Sequence, residues 1–167
     1  MVSILIAWYS RTGRTTKAAE TIRDAVVSAG VSDVDLEELF DTKNRAGAVG
    51  WMSGGRDATL KRVVPIEPLQ SDVASYDLVV IGTPVWAFTM APAVRTFCTE
   101  HGPEAQRVAF MATMGGSGDA GAYRDMGKLC GSEPVATLSL IDKAIDRGDE
   151  EKFIAAVAAF VADLVAE

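Results

Sequence analysis

Histidine is nearly absent from this chain of 167 residues, which has His101 alone. Sites that need two imidazoles, the HExxH zinc motif among them, cannot be built from it. His101 stands in Thr99-Glu100-His101-Gly102-Pro103, where Gly and Pro mark a helix exit and a cation suits the negative end of the dipole. A C-terminal capping role is expected. Cysteine is almost as scarce, since Cys98 and Cys130 are too few and too far apart for a disulfide scaffold or a CxxC metal knuckle. They read as free cytosolic thiols. Long apolar runs are missing too: Phe153 to Ala162 is about half of the ~18 residues that a membrane span needs. Val2 to Trp8 lacks a basic leader and a small-residue cleavage site, so it does not read as a signal peptide. Basic residues are in deficit, with Lys plus Arg at 16 against Asp plus Glu at 23 and a net charge of −7. Such a surface repels nucleic acid and anionic lipid, and suits docking to a basic partner. What is plentiful is apolar residues, 49% of the chain, enough for a real core. At ~150 residues per domain the length predicts one domain over 1–167, soluble and cytoplasmic.

Short β-rich runs alternate with stretches of helical period. Val2 to Trp8 is almost continuously apolar, as a strand covered on both faces must be. Further strands are expected at 34–40, 76–82, 107–113 and 134–140. Between them, Ala18, Ala19, Ile22, Ala25, Val26 and Ala29 form one face of a helix that stops at Gly30. Helices are likewise expected at 92–100, at 122–130 and over the stripe from Phe153 to Val165. Strict alternation predicts an α/β fold: a three-layer, doubly wound sandwich around a five-stranded parallel sheet. The crossover from Asp41 to Pro65 is longer than ordinary αβ loops of about 2–6 residues. It holds Trp51, Met52 and the pair Gly54-Gly55, which predicts a helix here, imperfect and open to a break near the two glycines.

In an open α/β sheet, ligands bind beyond the carboxyl ends of the strands. The loop after the first strand reads Tyr9-Ser10-Arg11-Thr12-Gly13-Arg14-Thr15-Thr16-Lys17. Its hydroxyls, a glycine for a sharp turn and the N–H groups of a helix start make an anion cradle for a phosphate. A single helix cap would explain one hydroxyl, not four in seven positions. Arg11 and Arg14 sit within the cradle, and Arg14 is long enough to extend into solvent instead. A Walker A loop fails because Thr15-Thr16 stand where it needs glycine. After the third strand, Pro84 and Pro92 stiffen a loop in which Trp86 and Phe88 offer planar faces to a ligand. After the fourth, Gly116-Ser117-Gly118-Asp119-Ala120-Gly121 matches GxGxxG, but a dinucleotide fingerprint belongs after the first strand, and Asp142 falls in what reads as a linker. The glycines there are expected to admit a flat ring, with Asp119 capping the next helix.

Ser10-x-Thr12-Gly13-x-Thr15 after an N-terminal strand resembles the phosphate-binding loop of the flavodoxin family. Gly82-Thr83-Pro84-Val85-Trp86-Ala87 is similar to the segment that lies against the isoalloxazine ring, and Thr113-Met114-Gly115-Gly116-Ser117-Gly118 to the loop along its other edge. The resemblance implies the strand order 2-1-3-4-5, which is flavodoxin's own, with FMN as cofactor at the switch point. It implies FMN contacts from Ser10, Thr12, Gly13, Arg14, Thr15 and Thr16; from Pro84, Val85, Trp86, Ala87 and Phe88; and from Thr113, Gly115, Gly116 and Asp119. The expected function is electron transfer to a redox partner protein. The alternative is an FMN-dependent NAD(P)H oxidoreductase that reduces a quinone or similar acceptor, with the 41–65 crossover as wall or lid. Trp51, Met52 and Val49 could otherwise seal the sheet edge or form a homodimer contact. A phosphoacceptor receiver domain is excluded, because Trp8-Tyr9-Ser10 stands where its magnesium ligands belong.

Overall fold

The computed structural model describes residues 2–166, with Arg147 described by its backbone alone. Strand β1 (Ser3–Trp8) is the axis of the sheet, and its residues from Ile4 to Trp8 are all buried. Successive side chains of a strand point to opposite faces, so Ile4, Ile6 and Trp8 enter one half of the core and Leu5 and Ala7 the other. Both faces are therefore covered, which explains the unbroken apolar run. β1 pairs in parallel with β2 (Asp33–Glu38) on one side and β3 (Leu78–Trp86) on the other. β5 (Val108–Met114) and β6 (Thr137–Ile141) continue the sheet, giving the path β2-β1-β3-β5-β6. This is the expected 2-1-3-4-5 order once β4 (Thr89–Met90), a short strand antiparallel to the end of β3, is counted.

α1 (Arg14–Ser28) buries Ala18, Ala19, Ile22 and Val26 on one face of the sheet. α6 (Glu150–Val165) joins it there through Phe153, Val157, Phe160 and Leu164, preceded by the short α5 (Asp142–Arg147). α3 (Pro92–Glu100) and α4 (Asp119–Cys130) cover the other face. α2 (Gly47–Thr59) lies beside β3 and α3. His101 takes the C-cap position of α3, its N–H donating to the Phe97 carbonyl at 2.8 Å and its ring tilted against Phe97. Among the described residues, no helix is long and apolar enough to cross a membrane.

Four expectations need correction. α2 runs unbroken through Gly54-Gly55, because Gly54 is needed for close packing against Trp86 and the helix tolerates it. The segment after the third strand is not an open loop: β3 continues to Trp86 and folds back through Ala87-Phe88 into β4. Asp142 begins α5 instead of lying in a linker. Asp119 does not cap α4; left-handed Gly118 is the N-cap, and the Asp119 carboxylate accepts from the Ser139 hydroxyl at 2.6 Å.

Candidate functional site at the carboxyl edge of the sheet

The carboxyl ends of β1, β3 and β5 open onto one cavity of about 380 Å³, within the ~300–1,000 Å³ usual for small-molecule sites. One end of it is the loop between β1 and α1. Gly13 adopts φ 90°, a left-handed turn that glycine makes without strain and that starts α1 with no side-chain cap. The first intrahelical bond is Lys17 N–H to the Gly13 carbonyl at 2.9 Å. The N–H groups of the first turn thus face the cavity end at the positive pole of a fifteen-residue helix. The Ser10 hydroxyl accepts from the Gly13 N–H at 3.0 Å, which leaves its own proton to donate onward. Thr12 is exposed at the mouth.

Apart from Arg11, the remaining polar side chains of this loop are committed elsewhere. Thr15 is buried and shares a hydrogen bond of 2.9 Å with Thr113, tying the loop to β5. Thr16 turns inward and accepts from the Trp8 indole N–H at 3.0 Å. Arg14 is partly exposed, and its head group is held by carboxylates. Its guanidinium forks onto Asp146 at 2.7–3.0 Å and stands 3.5 Å from Asp142. Burial pushes the Asp142 carboxyl up against the pull of Arg14, with Asp146 adding to the rise. Lys17 donates to the Ile145 carbonyl and lies over the Phe153 ring. Arg11 is the one cation of the loop for which no hydrogen bond or ion pair is found among the described residues, and it lines the cavity.

The other end is apolar. Trp86 is half-buried, edge-on to Tyr9 with ring centroids 5.5 Å apart, and Pro84 and Val85 continue the wall. Trp51 of α2 stands opposite and exposed. Met114 and Gly115 close the β5 side. Gly82, beneath the cavity in β3, allows tight core packing, since a Cβ there would strike Met111 and stand 2.9 Å from the Trp8 Cβ. Of the residues expected from sequence, Ser10, Thr12, Arg14, Thr15, Pro84, Val85, Trp86, Thr113 and Gly115 line this one cavity. Gly13 shapes its turn, while Ala87 and Phe88 form the hairpin tip beside it. Thr16, Gly116 and Asp119 lie off the cavity wall. Arg11, Trp51, Met114 and Asp142 join the lining; Arg11 lay in the hydroxyl-rich loop, Met114 in the loop after the fourth expected strand and Trp51 in the long crossover, while Asp142 carried no signal for this cavity. No group of three or more metal-ligating side chains occurs among the described residues.

A parallel doubly wound sheet with a cavity beyond the carboxyl ends of β1, β3 and β5 defines an α/β fold of the switch-point class. A family model described as flavodoxin matches residues 3–157, and the chain belongs to that family. No curated protein matches it. Among solved structures, it is similar to a flavoprotein in complex with FMN from Lactobacillus acidophilus NCFM, with 22% identity, TM-score 0.68, and 87% of this chain and 97% of that one covered. A protein of Bacteroides eggerthii DSM 20697 is 23% identical, with TM-score 0.73 and coverage of 96% and 98%. The two-electron reduced flavodoxin of Megasphaera elsdenii is 22% identical, with TM-score 0.56 and coverage of 93% and 98%.

Proposed function

We propose that this chain binds FMN at the carboxyl edge of its sheet and serves as a flavodoxin-type redox protein, carrying electrons to a partner protein. The observation that carries the reading is the polarity of the cavity: an uncapped helix start with free hydroxyls at one end, and Trp86 and Trp51 at the other. This matches a ligand that is a phosphate at one end and a flat aromatic ring at the other. Family membership and the FMN complex of the Lactobacillus relative support it. The residues present fit the group. The Ser10 and Thr12 hydroxyls, the first-turn N–H groups of α1 and Arg11 are assigned to the phosphate. Pro84, Val85 and Trp86 form one wall for the ring, and Met114 with Gly115 another, excluding water from it. Bound FMN supplies one- and two-electron transfer. The Asp142 carboxylate at the rim is offset by Arg14, so it does not oppose the phosphate. The protein works as a single cytoplasmic domain in which Cys98 and Cys130 stay reduced.

Visible absorption of the purified protein, before and after addition of FMN, tests the assignment. Uptake of FMN is expected, and Thr12→Val should weaken FMN about tenfold while leaving riboflavin unchanged, since only FMN has the phosphate. A protein that stays colourless, or equal weakening of both ligands, overturns it. Rapid steady turnover of NADH or NADPH with a quinone and no protein partner would overturn the carrier role.

A further inference from the structure

The net charge of −7 is unevenly placed. Residues 41–62 and α4 together hold seven cations, Lys43, Arg45, Arg56, Lys61, Arg62, Arg124 and Lys128, against four carboxylates. Three of those carboxylates have buried side chains and are already compensated, Asp41 by Arg45 at 2.9 Å. Asp57 receives Arg45 at 2.8 Å, Lys43 at 3.2 Å and Arg62 at 3.3 Å. Asp125 receives Lys61 at 3.0 Å, with Arg95 at 3.6 Å. Arg56 and Arg124 are left with only long contacts, 3.9 and 3.7 Å, to these same carboxylates, and the side chain of each is 64% exposed. Contacts of that kind contribute about 0–1 kcal/mol, so neither arginine is held in place by its stability contribution. The outward charge of this part of the surface is positive.

The same surface is apolar at its centre. Trp51 and Met52 on α2 are 63% and 66% exposed, and Phe88 at the hairpin tip is 73% exposed. Arg56 lies one turn beyond Met52 on the same side of α2, since positions four apart share a helix face. The three elements are joined. Lys61, just past α2, reaches across to Asp125 of α4. The Phe88 backbone packs so closely on α4 that Gly121 has no room for a Cβ, and the Arg124 guanidinium lies 3.9 Å from that same point. Trp51 also lines the proposed flavin cavity. An apolar rim around a ligand mouth, flanked by uncommitted arginines, is the anatomy of a docking patch: anchors in the middle, charge that steers at the edge.

We propose that the rim formed by Trp51, Met52 and Phe88, with Arg56 and Arg124 beside it, docks an acidic redox protein. The local charge thus reverses what the net charge alone dictates, and a partner bearing carboxylates around an apolar patch fits it. That the partner is a redox protein rests on the FMN reading above; that it is acidic rests on the rim alone.

Isotope-labelled protein, with and without FMN, is titrated at low salt with plant-type ferredoxin, an acidic [2Fe–2S] protein, and separately with cytochrome c, a basic haem protein. Ferredoxin is expected to shift amides of residues 49–62, 87–89 and 119–128 in both forms, and cytochrome c is not. Arg56→Glu combined with Arg124→Glu should weaken ferredoxin about tenfold, as should raising salt to about 0.15 M. Both arginines are exposed, so the melting temperature should hold; Arg56→Ala with Arg124→Ala gives the same test without reversed charge. Shifts at the rim from cytochrome c, no shifts from either protein, indifference to the arginine variants, or sedimentation showing a second copy of the chain on the rim each overturn the proposal. A chain that takes up no FMN yet binds ferredoxin at the rim ends the flavin reading and supports this one. A chain that binds FMN and ignores ferredoxin does the reverse.

Discussion

Trp86 lies directly against the α2 backbone at Gly54, where a Cβ would stand 2.7 Å from the ring atom Cζ3 and 3.1 Å from Cε3. The glycine is what allows the long crossover to pack onto the wall of the cavity. Gly54→Ala should therefore displace Trp86 or tilt α2, and weaken FMN about tenfold by misplacing that wall. Gly55, one residue on, has nothing within 4 Å of its Cβ position. Gly55→Ala should instead raise stability by about 0.5–1 kcal/mol through helix propensity and leave FMN affinity unchanged. FMN titration and thermal unfolding of both variants check the pair; similar behaviour of the two would remove the role given to Gly54.

The Arg14 pairing with Asp146 and Asp142 places two carboxylates near the proposed phosphate and compensates them. Arg14→Ala should weaken FMN about tenfold by uncovering that charge, with riboflavin unaffected. Asp142→Asn in the same background should restore most of the loss. Failure to restore would assign Arg14 directly to the ligand.

Most of the frame was legible because it follows from local patterns. The unbroken apolar run of β1, the helical stripes of α1 and α6, and the hydroxyl-rich loop after β1 each carry their signal within a few residues. What sequence missed depends on contacts between distant residues. Gly54-Gly55 reads as a helix weakener until Trp86, more than thirty residues later, is seen to need the space. Arg14 reads as a free cation until Asp146, 132 residues away, meets it. Thr16 counts as one more cradle hydroxyl unless the Trp8 indole is known to occupy it. The hairpin at Ala87-Phe88 was hidden because neither residue is the glycine or asparagine that such turns favour.

Asp57 has no exposed surface. Burial alone would push its carboxyl up, but hydrogen bonds from Arg45 and Lys43 outweigh that and hold it below the usual carboxylate range. The same holds for Asp125 through Lys61 and Thr89. A carboxyl whose folded value is lower than its unfolded value stabilises fully above the unfolded value. That contribution is lost as pH falls through the folded one. Stability should thus be level near neutrality and decline below about pH 4. Asp57→Asn should cost roughly 1–3 kcal/mol at pH 7, because buried Arg45 loses one of its two carboxylate partners and keeps Asp41 at 2.9 Å, and should flatten the acid decline. Urea unfolding across pH checks both; a steeper decline in the variant would contradict the pairing.

Ala87 and Phe88 turn the chain from β3 into β4 with φ 49° and 61°, two consecutive left-handed residues that close a two-residue hairpin. Left-handed backbone costs about 1–2 kcal/mol per non-glycine residue, so the tip is held in place by its neighbours. Phe88 packs its backbone on Gly118 and Gly121 of α4, while the Thr89 hydroxyl donates to Asp125 at 3.0 Å. Ala87→Gly should relieve the turn and raise the stability of the FMN-free protein by about 1 kcal/mol. The same change should loosen FMN several-fold, because a freer tip must be ordered when the wall beside Trp86 closes on the ring. Urea midpoints and FMN titration measure the two effects separately. A gain in stability with FMN affinity unchanged would mean that the strain serves the hairpin's packing on α4 and not the ligand wall.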